Sequence, residues 1–317
     1  MDAERLSALI VGAGYGAGEP VIVGVRRSGA APLFVAQGRT RAGTPASPTT
    51  LTYTASLSKQ ITAACAALLV RRDALDVEDA VTDWLPDLPA WAGAVRLRHL
   101  LHHTAALPDR EVDALIGPTA DRTSAGVLST LARISAPAGR PGTTYAYSGV
   151  GYILLAAVVE RAAGRPLPEF AEERIFIPLG MRGTRYWRGP EPAPPGALPL
   201  AASHPAPLSL GDGGVWSTAA DLLRWSQALN ADRLGISRLV QTPGRLDDGT
   251  PIDYAWGMGI RSHGGHRAYR HGGGWPGLRA LLARVPGLDL SLVIIAFADD
   301  SERRVDLAAG ILDLVTA

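Results

Sequence analysis

Apolar positions along this chain fall into runs of helical and of strand spacing. Leu6, Leu9, Ile10 and Val11 recur with helical period, which predicts a short helix over residues 2–14, ended by the glycines at 12–18. Residues 20–26 and 32–36 are instead β-branched or apolar runs joined by Ser-Gly-Ala-Ala, the pattern of two strands in a hairpin. An apolar helix follows from Ser56 to about residue 72. Between there and residue 180 strand signals nearly vanish. Short helical patterns at 77–85, 96–103, 124–134, 149–163 and 168–175 are separated by Pro or Gly. Residues 186–208 are crowded with Pro and Ala, a connection long enough to be either a mobile loop or the wall of a binding site. After it, Thr218-Ala-Ala-Asp221 opens a helix to Leu229 in the manner of a capping box. Strands are predicted at 255–261, 266–271, 278–285 and 290–297, and a helix over 301–315 closes the chain.

Strands at both ends with helices between them predict an α/β (α+β) architecture. One antiparallel sheet, completed by the late strands, is flanked by the N- and C-terminal helices, with an inserted all-helical region. Residues 1–317 are expected to form one domain, with a sheet subdomain at about 1–60 and 210–317 and a helical subdomain at about 61–209.

Composition narrows the partner. The chain carries 31 basic and 30 acidic residues, a formal charge of +1, and its arginines never cluster beyond a pair. Nothing there marks nucleic acid or an anionic membrane, so a small molecule is the expected partner, with the oligomeric state left open. The single cysteine, Cys65, excludes an internal disulfide, and its apolar neighbours predict a packed thiol. The start, Met-Asp-Ala-Glu, lacks the basic region and cleavage site of a signal peptide, and no run of about 18 apolar residues suggests a membrane span. The expected location is cytoplasmic.

Chemistry enters at Ser56-Leu-Ser-Lys59, which holds the only lysine in a chain with 30 arginines. Arginine stays protonated at any physiological pH, whereas a desolvated lysine can give up its proton and accept one from a neighbouring hydroxyl. Spacing of i,i+3 at a helix start puts Ser56 and Lys59 on one face, within reach of each other. That is the S-x-x-K arrangement of an activated serine nucleophile; the plainer reading is a serine that only caps its helix. Two further stretches stand out. In Pro141-Gly-Thr-Thr-Tyr-Ala-Tyr147-Ser148-Gly149 a turn leads through a tyrosine to a helix, and Tyr269-Arg-His271-Gly-Gly-Gly-Trp275 lies at the end of a late strand. Tyr147 could be an ordinary core tyrosine and His271 could simply follow a tight turn. A metal site at His102-His103 or at His263-Gly-Gly-His266 is not expected, because no carboxylate or cysteine sits beside them at ligand spacing. No cofactor is expected either.

Taken in order, Ser56 with Lys59, Tyr147 with Ser148, and His271 with Gly273 resemble the three motifs of the serine β-lactamase and penicillin-binding-protein superfamily, especially its class C-like esterase and peptidase branch. The resemblance covers nearly the whole chain, with weaker landmarks at Leu100-Leu-His-His103-Thr104, Pro178-Leu-Gly-Met181 and Gly213-Gly-Val-Trp-Ser-Thr218. It implies that Ser56 attacks a carbonyl carbon and forms an acyl-enzyme, with Lys59 or Tyr147 as base. It also implies an oxyanion hole from the backbone N–H groups of Ser56 and Gly274, and a His271 that keeps the pocket electropositive or hydrogen-bonded. Ser148, Gly149, Gly273 and Trp275 would line the substrate. Two departures shape the expectation: Gly149 stands where the family usually has Asn, and His271 where true class C β-lactamases carry lysine. A serine hydrolase of small esters or amides is therefore expected, with short esters favoured over β-lactams. The alternatives are a β-lactamase or D-alanyl peptidase, an acyltransferase, and, outside catalysis, a ligand-binding relative.

Overall fold

A computed structural model describes residues 2–117 and 122–316. Strands β1 (Val21–Arg26) and β2 (Leu33–Gln37) form the expected hairpin. The short strands β3 (Thr52–Tyr53), β4 (Arg185–Tyr186) and β5 (Val215–Ser217) pair in the order β3-β5-β4, and β6 (Gly244–Arg245) pairs with β7 (Pro251–Ile252). Four late strands, β8 (Gly259–His263), β9 (His266–Trp275), β10 (Leu278–Val285) and β11 (Leu290–Ala296), join the hairpin. The result is a six-stranded antiparallel sheet of order β2-β1-β11-β10-β9-β8.

Both faces of that sheet are covered, and the two-residue period of a strand sorts its side chains between them. Val21, Val23 and Val25 of β1, with Leu290, Leu292 and Ile294 of β11, pack against Leu6 and Ile10 of helix α1 (Ala3–Gly12) and against Leu307 and Ile311 of the last helix. Ile22, Val293 and Ile295 point the other way, into the core shared with the helices. Burying a Leu or Ile side chain contributes about 1.5–3 kcal/mol, so these two layers fix the register: a one-residue slip would exchange the faces.

The chain then builds α2 (Ser58–Val70), α3 (Val81–Trp84), α4 (Leu97–Leu101), α5 (Asp109–Ile116), α6 (Ser124–Leu131), α7 (Gly149–Ala163), α8 (Leu167–Ala171) and α9 (Ile177–Leu179). After β5 come α10 (Ala219–Asn230), α11 (Ser237–Val240) and the closing α12 (Ser301–Thr316). Helix α2 is buried on every side from Ser58 to Leu69, so its apolar residues show no single stripe. Its alanines at 63, 64, 66 and 67 leave room for α7 to pack closely beside it.

Several boundaries differ from expectation. The strand expected at 255–261 begins only at Gly259, because the chain first turns back, with Ala255 N–H donating to Met258 O. The strand expected to stop at 271 continues to Trp275, since its glycines stay in the ladder with β10. Helix α5 lies where no element is expected: it spans only eight residues, and Val112 is its one buried residue. The pattern at 168–175 resolves into α8, a π-helical turn (Glu172–Phe176) and α9.

Candidate active site

Ser56 sits in a 3-10 turn, Ala55–Leu57, one step ahead of α2. Ala55 has φ +47°, a left-handed conformation that costs a non-glycine residue about 1–3 kcal/mol. Neighbouring bonds hold it there. Thr54 donates both its N–H (3.0 Å) and its hydroxyl (2.8 Å) to Val215 O, while the Ser58 hydroxyl donates to Ala55 O (2.7 Å) and accepts from Val215 N–H (3.1 Å). Strand β5 is thus the clamp that holds the turn. Ser58 is fully buried and committed to it, whereas Ser56 is part-exposed at the cleft.

Lys59 follows on the first turn of α2, 1% exposed. Its Nζ lies 3.2 Å from Ser56 Oγ and donates to the backbone O of Asp212 at 3.0 Å. Two tyrosine rings flank it, Tyr147 at 5.0 Å and Tyr152 at 5.7 Å from Nζ to centroid. Tyr147 is half-exposed, and among the described residues its hydroxyl makes no hydrogen bond to Ser56 or Lys59; the ring face is what meets the lysine. Behind it His103, itself at φ +58°, packs 4.3 Å from the Tyr147 ring and accepts the Ser148 N–H at Nδ1 (3.1 Å).

His271 lies on β9 with its ring 5.9 Å from that of Tyr147. Burial first, and the Lys59 charge second, push its imidazole down to about 4. At neutral pH it therefore carries no charge. Its Nδ1 is 2.7 Å from Gly272 O, a carbonyl that can only accept, so Nδ1 holds the proton and Nε2 is left as an acceptor. Of the two roles expected of it, hydrogen bonding is the one this geometry allows.

The remaining expected residues take distinct places. Gly273 runs against the carbonyl of Thr54, so that a Cβ there would collide with it, which brings Gly273 and Gly274 alongside the Ser56 turn. Because β8 pairs only with residues 266–270, the stretch 271–275 of β9 is a free edge toward the cleft among the described residues. Trp275 donates its indole N–H to His204 O (2.9 Å) and meets Tyr53 edge-on. The Pro-rich 186–208 stretch is also tied by Trp187 N–H to Gly214 O and Leu198 N–H to Leu51 O, both 2.8 Å, so it is anchored to the strands on either side of the Ser56 turn. Ser148 is not free for substrate: its hydroxyl donates to Asp109 Oδ2 (2.6 Å) and accepts from Gly151 N–H, capping α7. Gly149 opens α7 with Asp212 facing it.

Beyond His271 and Tyr147 the cleft widens into a cavity of about 620 Å³. Tyr145, Tyr254, Arg261, Arg270 and Arg304 line it, and none of the three guanidiniums forms an ion pair among the described residues. His263 and His266 flank the β8–β9 turn, away from this cleft.

The family model described as Beta-lactamase matches residues 20–316. The chain belongs to the Beta-lactamase family. It is 33% identical to penicillin-binding protein 4* of Bacillus subtilis over 73% of this chain and 57% of that one, so it spans little more than half of that relative's length. It is 27% identical to the D-alanyl-D-alanine-carboxypeptidase/endopeptidase AmpH of Escherichia coli, over 95% of this chain and 86% of AmpH. The crystal structure of the D-amino acid amidase from Ochrobactrum anthropi shares the fold, with a TM-score of 0.80 at 20% identity and coverage of 98% of each chain. The protein is a serine hydrolase of this family.

Asp212 and Asp109 belong to no motif that the sequence singles out. Asp212 was visible as a lone acid in Gly211-Asp-Gly-Gly, but nothing in the sequence placed it against Gly149 and Lys59. Tyr147 yields a direct test, because Phe keeps the ring over Lys59 and removes only the hydroxyl. Tyr147→Phe is expected to lower kcat by about two to four orders of magnitude, the range for loss of a general acid or base. A change of only a few fold in steady-state kinetics would leave the ring contact as its whole contribution.

Proposed function

We propose that this hydrolase cleaves small amides and peptides built on D-amino acids, through an acyl-enzyme on Ser56. The observation that carries the reading is the free edge of β9 beside the Ser56–Lys59 pair. An extended substrate can lie along residues 271–275 as an added strand, exchanging backbone hydrogen bonds that an amide can reciprocate and a simple ester cannot. The names of AmpH and of the D-amino acid amidase support it, and they favour the peptidase alternative over the short-ester preference expected from Gly149. The guanidiniums of Arg261 and Arg270, which form no ion pair among the described residues, suit a leaving part that ends in a carboxylate, as a peptide does; Arg304 already donates to Gly273 O and Ala280 O.

In this mechanism Lys59 acts as the free amine. One N–H stays on Asp212 O while the nitrogen lone pair takes the Ser56 proton, and Ser56 Oγ bonds to the carbonyl carbon. The backbone N–H groups of Ser56 and Gly274 receive the developing oxyanion. The proton then passes by way of the Tyr147 hydroxyl to the departing amine as the C–N bond breaks. Water then bonds to the acyl carbon as it gives a proton to Lys59, the C–Oγ bond breaks, and Lys59 returns that proton to Ser56 Oγ as the acid leaves. The neutral His271 accepts a hydrogen bond at Nε2 from substrate or from Tyr147.

The test is hydrolysis of D-alanyl and L-alanyl p-nitroanilides beside p-nitrophenyl acetate and nitrocefin. The D-anilide is expected to be cleaved with a preference over the L form of at least about tenfold in kcat/KM, or 1.4 kcal/mol. Equal rates for the enantiomers, or turnover confined to the acetate ester or to nitrocefin, would overturn the reading.

A further inference from the structure

A Cβ on Gly149 would meet Asp212 Oδ2 at 3.2 Å, so the Asp212 carboxylate borders the space that a side chain at 149 would fill. Asp212 is not a distant neighbour that happens to intrude. Its backbone O holds Lys59 Nζ, and one carboxylate oxygen, Oδ1, accepts from the Ser209 hydroxyl at 3.2 Å. The other, Oδ2, makes no hydrogen bond among the described residues. Arg122 also comes near, but its guanidinium pairs with Asp113, and no ion pair joins it to Asp212. Beside the Ser56–Lys59 pair the half-buried Asp212 thus keeps one carboxylate oxygen, Oδ2, that has neither a hydrogen bond nor an ion pair among the described residues, with the Arg122 guanidinium bordering the same space.

We propose that Asp212 is a specificity-determining residue that reads an ammonium group on the acyl part of the substrate. A carboxamide on this wall would both donate and accept; a carboxylate only accepts, and it carries charge. Its best complement is a charged donor, and a charge-assisted hydrogen bond is among the strongest a site can make. The group that fits is the free α-ammonium of an amino acid derivative, held while its carbonyl carbon faces Ser56. The ammonium charge is tolerable there because the Asp212 carboxylate offsets it. An N-acylated substrate or a β-lactam with an acylated amine brings a bulkier, uncharged group to the same wall and forgoes the charge. The inference rests on the proposed hydrolysis of D-amino-acid derivatives, and it adds which end of the substrate must be unblocked.

The test compares D-alanyl p-nitroanilide with N-acetyl-D-alanyl p-nitroanilide, and D-alanine methyl ester with N-acetyl-D-alanine methyl ester, for the wild-type protein and for Asp212→Asn. Asn keeps the shape and the Ser209 contact and removes the charge. The wild-type protein is expected to prefer the free amine by about ten- to a hundredfold in kcat/KM, the worth of one hydrogen bond to a charged group. In Asp212→Asn that ratio should fall toward one, chiefly through a higher KM for the free amines. A wild-type preference for the acetylated member of either pair would overturn the proposal. So would an Asp212→Asn variant in which both members lose rate equally, the sign of a purely structural role. Should neither anilide be cleaved while the esters are, the amidase reading fails and the ester pair still decides the role of Asp212.

Discussion

Ser56→Ala is expected to abolish turnover, with a loss of at least about 10⁴-fold in kcat/KM, because no other hydroxyl can take its place. The nearest rival in sequence is Ser58, and the structure separates the two by their commitments. Ser58 is fully buried and its hydroxyl bridges Ala55 O and Val215 N–H, whereas Ser56 Oγ faces the cleft 3.2 Å from Lys59 Nζ. The two alanine variants should therefore fail in different ways. Ser56→Ala should melt within a few degrees of the wild type, since it removes no buried bond that holds the fold. Ser58→Ala should cost about 1–3 kcal/mol of stability by leaving buried polar groups unpaired, and part of the activity as the strained Ala55 turn relaxes. Thermal melts and kinetics on the two variants check this; a stable, inactive Ser58→Ala beside an active Ser56→Ala would reverse the assignment.

Lys59→Arg is the second large effect. Arginine would keep the positive charge over the Tyr147 ring but cannot serve as a base, and its guanidinium is too large for a pocket in which Lys59 is only 1% exposed. A loss of at least about 10³-fold in kcat is expected, nearly as great as for Lys59→Ala. If the Arg variant retained a tenth or more of the wild-type rate, the lysine would be acting as a fixed charge, and the base would have to be Tyr147.

How much of this was legible beforehand follows from the physics of each part. The sheet could be read because its strands are covered on both faces and so appear as long apolar runs, as in residues 290–296, every one of which is buried. The Ser56–Lys59 pair was legible because helical spacing dictates the approach of i and i+3, and because a lone lysine among arginines is conspicuous. Other features depend on contacts between segments far apart in the chain. The neutrality of His271 arises from burial and from a lysine more than 200 positions away in the sequence, which no local pattern records. The commitment of Ser148 to the α7 cap requires Asp109, 39 positions away, at the start of a helix only eight residues long. Asp212 reaches Gly149 only because β5 brings its loop across the start of α2.

The most direct test of the account is to find the bond it requires. The wild-type protein, mixed with a D-alanyl ester or a fluorophosphonate probe, quenched in acid and digested, should yield one modified peptide whose adduct maps to Ser56. The same treatment of Ser56→Ala should yield none. An adduct on Ser58 or Ser148 with Ser56 unmodified, or steady turnover by Ser56→Ala, would contradict the account at its centre.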